Sequence, residues 1–185
     1  MRGNRRVILM ALVGLIGTSL AGGTPQSLRK SEASPETVRR LIAKLGPRGA
    51  VERLVNNPDQ SAFYGLLAGV ASARREWLDL ATQLAPVSQG YGEAMLVAAL
   101  SEALERDPIA ILERGGGGIR LDRVCGYDPF SPVSSLRTQK QFLQALQPRE
   151  RAVAAVNRVD LAKAKDECIA AMARLKADAT LRYRE

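Results

Sequence analysis

Apolar residues recur at intervals of three and four along most of this chain, and proline or glycine interrupts them repeatedly. That period belongs to amphipathic helices, since a half-buried strand would alternate every second residue. Ser34-Pro35-Glu36 is a helix start: a capping side chain, a proline whose missing donor costs nothing there, and an acid near the positive end. Val38, Leu41, Ile42 and Leu45 form its stripe, and Gly46-Pro47 is expected to end it. A second short helix is expected from Gly49 to Asn56. A third runs from Asp59 to Ser72 on Phe63, Leu66, Leu67 and Val70. The fourth covers Arg74 to Leu84, where Trp77, Leu80, Ala81 and Leu84 align, and Pro86 stops it. The fifth spans Gly92 to Glu105 on Met95, Leu96, Ala99, Leu100, Ala103 and Leu104. Asp107-Pro108 opens a sixth through Leu112.

Gly115 to Gly118 then breaks the pattern. Residues 115–132 read as a Gly-rich loop with a short extended stretch at Ile119 to Val124. Helix resumes from Val133 to Leu146, is expected to break at Pro148, and continues from Arg149 to Ala177. In this last helix Leu161, Ala164, Cys168, Ala171, Met172 and Leu175 make an inward seam. The fold class is all-α: an irregular array of short antiparallel helix pairs, solenoid-like or an orthogonal bundle, occupying residues 34–185 as one domain.

The start of the chain has a different character. Arg2, Arg5 and Arg6 precede Val7 to Leu20, an uncharged run of fourteen residues. A membrane span needs roughly 20 apolar residues, so the run is short for an anchor and suits the apolar core of an export signal. Ser19-Leu20-Ala21 has the small-x-small form of a cleavage site, so cleavage is expected after Ala21, with Ala21-Gly22-Gly23 a second register. Residues 1–21 are read as the signal and 22–33 as a flexible lead. A lipid anchor would need Cys where Gly23 stands. Arg5-Arg6 also fits a twin-arginine signal, though the general secretory route is the ordinary reading. The expected destination is the periplasm or the exterior, with no stable membrane anchor after cleavage.

Without the signal, the remaining chain of about 164 residues is of single-domain size. Three of the 27 basic residues go with it, leaving 24 against 19 acids, a net charge of +5. The charges alternate in sign and aromatics are 4% of the chain, which argues against nucleic-acid binding. The two cysteines, Cys125 and Cys168, are expected to bridge in an oxidising compartment, the alternative being two separate buried thiols. Such a bridge closes a loop of about 44 residues and contributes on the order of 4 kcal/mol in the chain-entropy treatment.

The chain has no histidine. This removes Ser-His-Asp and Cys-His machinery and histidine-based zinc sites. The four glycines do not form a phosphate loop, because Ile119-Arg120 follow where Lys and Ser or Thr are needed. No spaced aspartate series fits a calcium loop. No catalytic residue, cofactor or metal is assigned. Glu93, Glu102 and Glu105 on one helix, with Asp122 and Asp128 in the loop, are the carboxylates a glycan-cleaving enzyme would use. The densest unusual stretch is Asp122 to Phe130. Its Asp122, Arg123, Tyr127 and Asp128 make the candidate binding loop around Cys125.

Several pieces resemble a group of uncharacterised exported proteins of Gram-negative bacteria: Leu66-Leu67-Ala68-Gly69-Val70-Ala71, Glu76-Trp77-Leu78, Leu100-Ser101-Glu102-Ala103-Leu104, Asp107-Pro108 with Ile111-Leu112, and Val124-Cys125-Gly126 with Pro129-Phe130. They cover roughly residues 58–130, and Cys168 fits as well. The four-glycine run and Arg74-Arg75 have no counterpart in the group. The resemblance implies export, a helical fold and the cysteine pair, and carries no activity. The functional expectation is a non-enzymatic module that binds a protein or an envelope component, including an immunity or inhibitor role against an exported toxin. The alternative is a carboxylate-dependent hydrolase or lyase acting on the cell wall.

Overall fold

The computed structural model describes residues 33–128 and 138–182, with side chains through residue 180. The expected signal, its Ala21 cleavage site, the lead up to residue 32, Pro129, Phe130 and the expected helix start at Val133 lie outside the described residues. Within them the chain is all-α, with eight α-helices and no strand.

Helix α1 is Pro35–Val55. Ser34 caps it as expected, its Oγ accepting from the Thr37 amide at 3.1 Å. Gly46 breaks the helical path with φ 69° and ψ 167°, a conformation that suits glycine. The two expected helices are therefore the two arms of one kinked element. Pro47 opens the second arm at once, because a proline fits a first helical turn as well as it blocks a continuing one. Val38, Ala50 and Leu54 face inward, while Leu45, expected in the stripe, is 45% exposed at the kink.

Helices α2 (Ser61–Ala71) and α3 (Arg75–Leu84) bury the residues their periodicity predicts: Phe63, Leu66, Leu67 and Val70, then Trp77, Leu80, Ala81 and Leu84. Ala33 is buried too, its backbone against Gly65. A 3-10 turn at Ala85–Val87 leads into α4 (Gly90–Arg106). Helix α4 touches α2, α5, α6 and α7, so it lies at the centre. Asp107 caps α5 (Pro108–Glu113), accepting from the Ala110 amide at 2.9 Å.

Two expectations fail after this point. Most of 119–124 is not extended: Arg120 is, but Leu121–Cys125 is a short helix, α6. Ile119 and Val124 suggest strand by residue type, but Leu121, Val124 and Cys125 sit at i, i+3 and i+4, and all three are buried. The break at Pro148 is also absent, since α7 (Gln139–Ala154) runs through it. Proline removes one backbone donor, yet Phe142, Leu146, Arg149 and Val153 bury one face of α7 on both sides of it and hold the helix together. The actual break follows Ala154, where Lys165 Nζ donates to the carbonyls of Ala154 and Val156, each at 2.7 Å. After a 3-10 turn at Val159–Leu161, α8 (Ala162–Arg182) packs its seam of Cys168, Ala171, Met172 and Leu175 against α6 and α7. No described helix is long and apolar enough to cross a membrane.

Candidate functional site

Cys125, the last residue of α6, is bonded to Cys168 of α8. Their Cα atoms are 5.2 Å apart and both side chains are fully buried. The bridge therefore fixes a helix to a helix rather than a free loop to a helix. Ala171 and Met172 continue the α8 contact surface beneath α6.

A second clamp comes from α7. Arg149 is 3% exposed, and its Nη1 donates to the Tyr127 carbonyl at 2.9 Å. Its Nη2 lies 3.7 Å from Glu105 of α4. Burial pushes the Arg149 pKa down, with the Glu105 charge opposing that shift. Arg149 Nε has no hydrogen-bond partner among the described residues. Burial, then the nearby Asp128 carboxylate, raises the Tyr127 pKa.

These clamps hold α6 beside α4, and a hollow of about 160 Å³ opens between them and the 85–88 turn. Leu96 and Leu100 of α4 and Val124 of α6 supply apolar lining. Glu93, Arg120 and Arg123 supply charged lining. Arg123 pairs with Glu93 at 3.2 Å. Arg120 is fixed by Asp122 through Nε at 3.3 Å and Nη2 at 2.7 Å. That hydrogen-bonded pairing lowers the Asp122 pKa below the usual carboxylate range. Gly118 lines the same hollow with φ 118°, and a Cβ there would sit 2.7 Å from the Thr82 carbonyl oxygen.

The expected loop residues are thus divided. Arg123 lines the hollow. Asp122 fixes Arg120 and borders a second, more open hollow with Glu167. Tyr127 and Asp128 follow α6 and are half-buried, with the Tyr127 carbonyl held by Arg149. Periodicity did not single out Arg120, Glu93 as its neighbour, or the buried Arg149. Arg120 and Arg123 being three apart around a short helix was the available signal, and it was hidden by reading the stretch as extended.

A second surface feature lies on α2 and α4. Tyr64 and Tyr91, each about half exposed, have hydroxyls 3.1 Å apart, and both rings neighbour Phe63. The Tyr64 hydrogen bond raises the Tyr91 pKa. No group of three or more residues suited to holding a metal ion occurs among the described residues.

Comparison with protein-family models, with curated proteins and with solved structures finds no match.

Proposed function

We propose that this chain is an exported, non-enzymatic binding module, with its recognition surface at the α4–α6 hollow and a protein or envelope component as its partner. The observation that carries the reading is the doubly clamped wall. Helix α6 has only five residues and would not hold its shape alone, yet a buried disulfide fixes its end and Arg149 fixes the backbone just beyond. A wall held this firmly beside an open lined hollow suits recognition, because a site formed before binding loses little entropy on binding. The disulfide also supports an oxidising destination.

Three of the five candidate carboxylates, Asp122, Glu93 and Glu105, support a binder over a cell-wall hydrolase or lyase. Asp122 is held as an anion by Arg120, which does not suit a proton donor. Glu93 faces Arg123, and Glu105 faces Arg149.

The test is a photo-reactive side chain at Gly117, beside the hollow, in the mature protein exposed to envelope extract. One discrete adduct is expected, lost when Arg120 and Arg123 are both changed to Ala. The same adduct from Val159, which is 90% exposed elsewhere, would defeat the assignment. Release of soluble sugar or peptide fragments from peptidoglycan, abolished by Glu93→Gln, would establish the enzyme instead. Mass spectrometry of the envelope protein should find a start at Gly22 or Thr24; an intact Met1 would rule out a cleaved signal.

A further inference from the structure

We propose that the α4–α6 hollow takes an apolar residue bearing a free α-carboxylate, either a free aliphatic amino acid or the C-terminal residue of a peptide. The inference rests on the binding-module reading and names the ligand chemistry of that site.

The lining has two unlike parts. Leu96, Leu100 and Val124 give one side of the hollow a hydrocarbon lining. A volume of about 160 Å³ is comparable with the ~150 Å³ protein cavity that admits a benzene-sized group. It has room for one aliphatic side chain against Leu96, Leu100 and Val124.

The charged part fits a short polar head. Arg120 uses Nε and one Nη2 contact on Asp122, so a guanidinium with five N–H groups still has donors to offer, and Asp122 fixes its direction. Arg123 stands on the next turn of the same segment and meets Glu93 through Nη2. Two guanidinium groups on one wall suit a carboxylate, which accepts paired N–H bonds. Glu93, on the opposing helix, suits an N–H group one or two bonds from that carboxylate. An α-amino acid joins these three parts at one carbon: carboxylate, nitrogen and side chain. Glu93 receives an ammonium from a free amino acid and a peptide N–H from a chain end, so it separates the two sources.

The experiment is titration of the oxidised mature protein, followed by amide chemical shifts, with four probes: leucine, N-acetyl-leucine, leucinamide and glutamate. Leucine or N-acetyl-leucine is expected to shift the amides of Leu96, Leu100 and Val124, saturating with a Kd in the millimolar range or below, as suits so few ligand atoms. Leucinamide and glutamate should bind at least tenfold more weakly, the first for want of a carboxylate and the second for want of an apolar side chain. The double variant R120A/R123A should lose at least tenfold while keeping its helical circular dichroism, since both side chains are more than half exposed. Tighter binding of leucine, abolished by Glu93→Gln, identifies a free amino acid. Equal or tighter binding of N-acetyl-leucine, with Glu93→Gln nearly silent, identifies a peptide end. Leucinamide matching leucine, or no saturable shift from either carboxylate probe, overturns the proposal. If the Gly117 adduct persists in that second case, the binding module stands and only its ligand chemistry falls. If the probes bind and no adduct forms, the hollow stands and the macromolecular partner falls.

Discussion

Arg149 places a guanidinium where only 3% of its surface meets solvent, and the neighbouring groups compensate it incompletely. The Tyr127 carbonyl and the Glu105 carboxylate take Nη1 and Nη2, and Nε is left over. Removing one partner of a buried contact costs more than replacing the whole by apolar atoms. Arg149→Ala is therefore expected to destabilise by about 2 kcal/mol or more, through an unfilled space and a freed Tyr127 carbonyl. Arg149→Met keeps the aliphatic stem and should cost clearly less. Urea midpoints of the two variants check this, and equal losses would show that packing has no part in it. Gly69 is constrained by space instead of charge. A Cβ there would stand 2.3 Å from the Trp77 ring. Gly69→Ala should cost about 1–3 kcal/mol, the usual penalty for overfilling a core. Trp77 is the sole tryptophan, so its fluorescence reports the displacement directly; an unchanged spectrum and midpoint would show that α2 and α3 can part without cost.

At the scale of elements, α6 depends most on its neighbours. A five-residue helix has too few internal hydrogen bonds to offset its ordering. The disulfide to α8 and the α7 contact supply what it lacks. Replacing Cys125 and Cys168 together by Ala is expected to cost on the order of 4 kcal/mol. Hydrogen exchange should show α6 losing protection before α2 and α3 do; uniform loss across the molecule would mean the bridge stabilises without local anchoring. Helix α7 shows the opposite case. Its buried face spans Pro148 and outweighs a proline that the sequence marks as a stop. Helices α2 and α3 were legible because each buries a single stripe, and the stripe and the period agree.

Across the whole molecule, buried residues from all eight helices belong to one hydrophobic cluster, from Val38 in α1 to Ala179 in α8. Helix α4 joins the α2 side to the α6 and α7 side. A continuous core of this kind should unfold as one unit. Urea transitions followed by Trp77 fluorescence, which reports α3, and by far-ultraviolet circular dichroism, which reports every helix, should coincide. Separate midpoints would show that the two sides hold independent cores.

Local chemistry in the sequence determined the helical class, the Ser34 and Asp107 caps, the glycine conformation at Gly46 and the inward faces of α2, α3 and α8, because each depends on residues within a turn or two of one another. Export remains an expectation of the first residues. The cysteine pair was expected from number and compartment, and the structure joins it. Tertiary structure decided the rest. Whether Gly115–Cys125 is loop or helix, whether Pro148 interrupts, and where Arg149 is buried all depend on surfaces far apart in sequence. The hollow is the clearest case. Glu93 and Arg123 are 3.2 Å apart in space on different helices, and only the packing of α6 against α4, fixed by Cys168 and Arg149, brings them together.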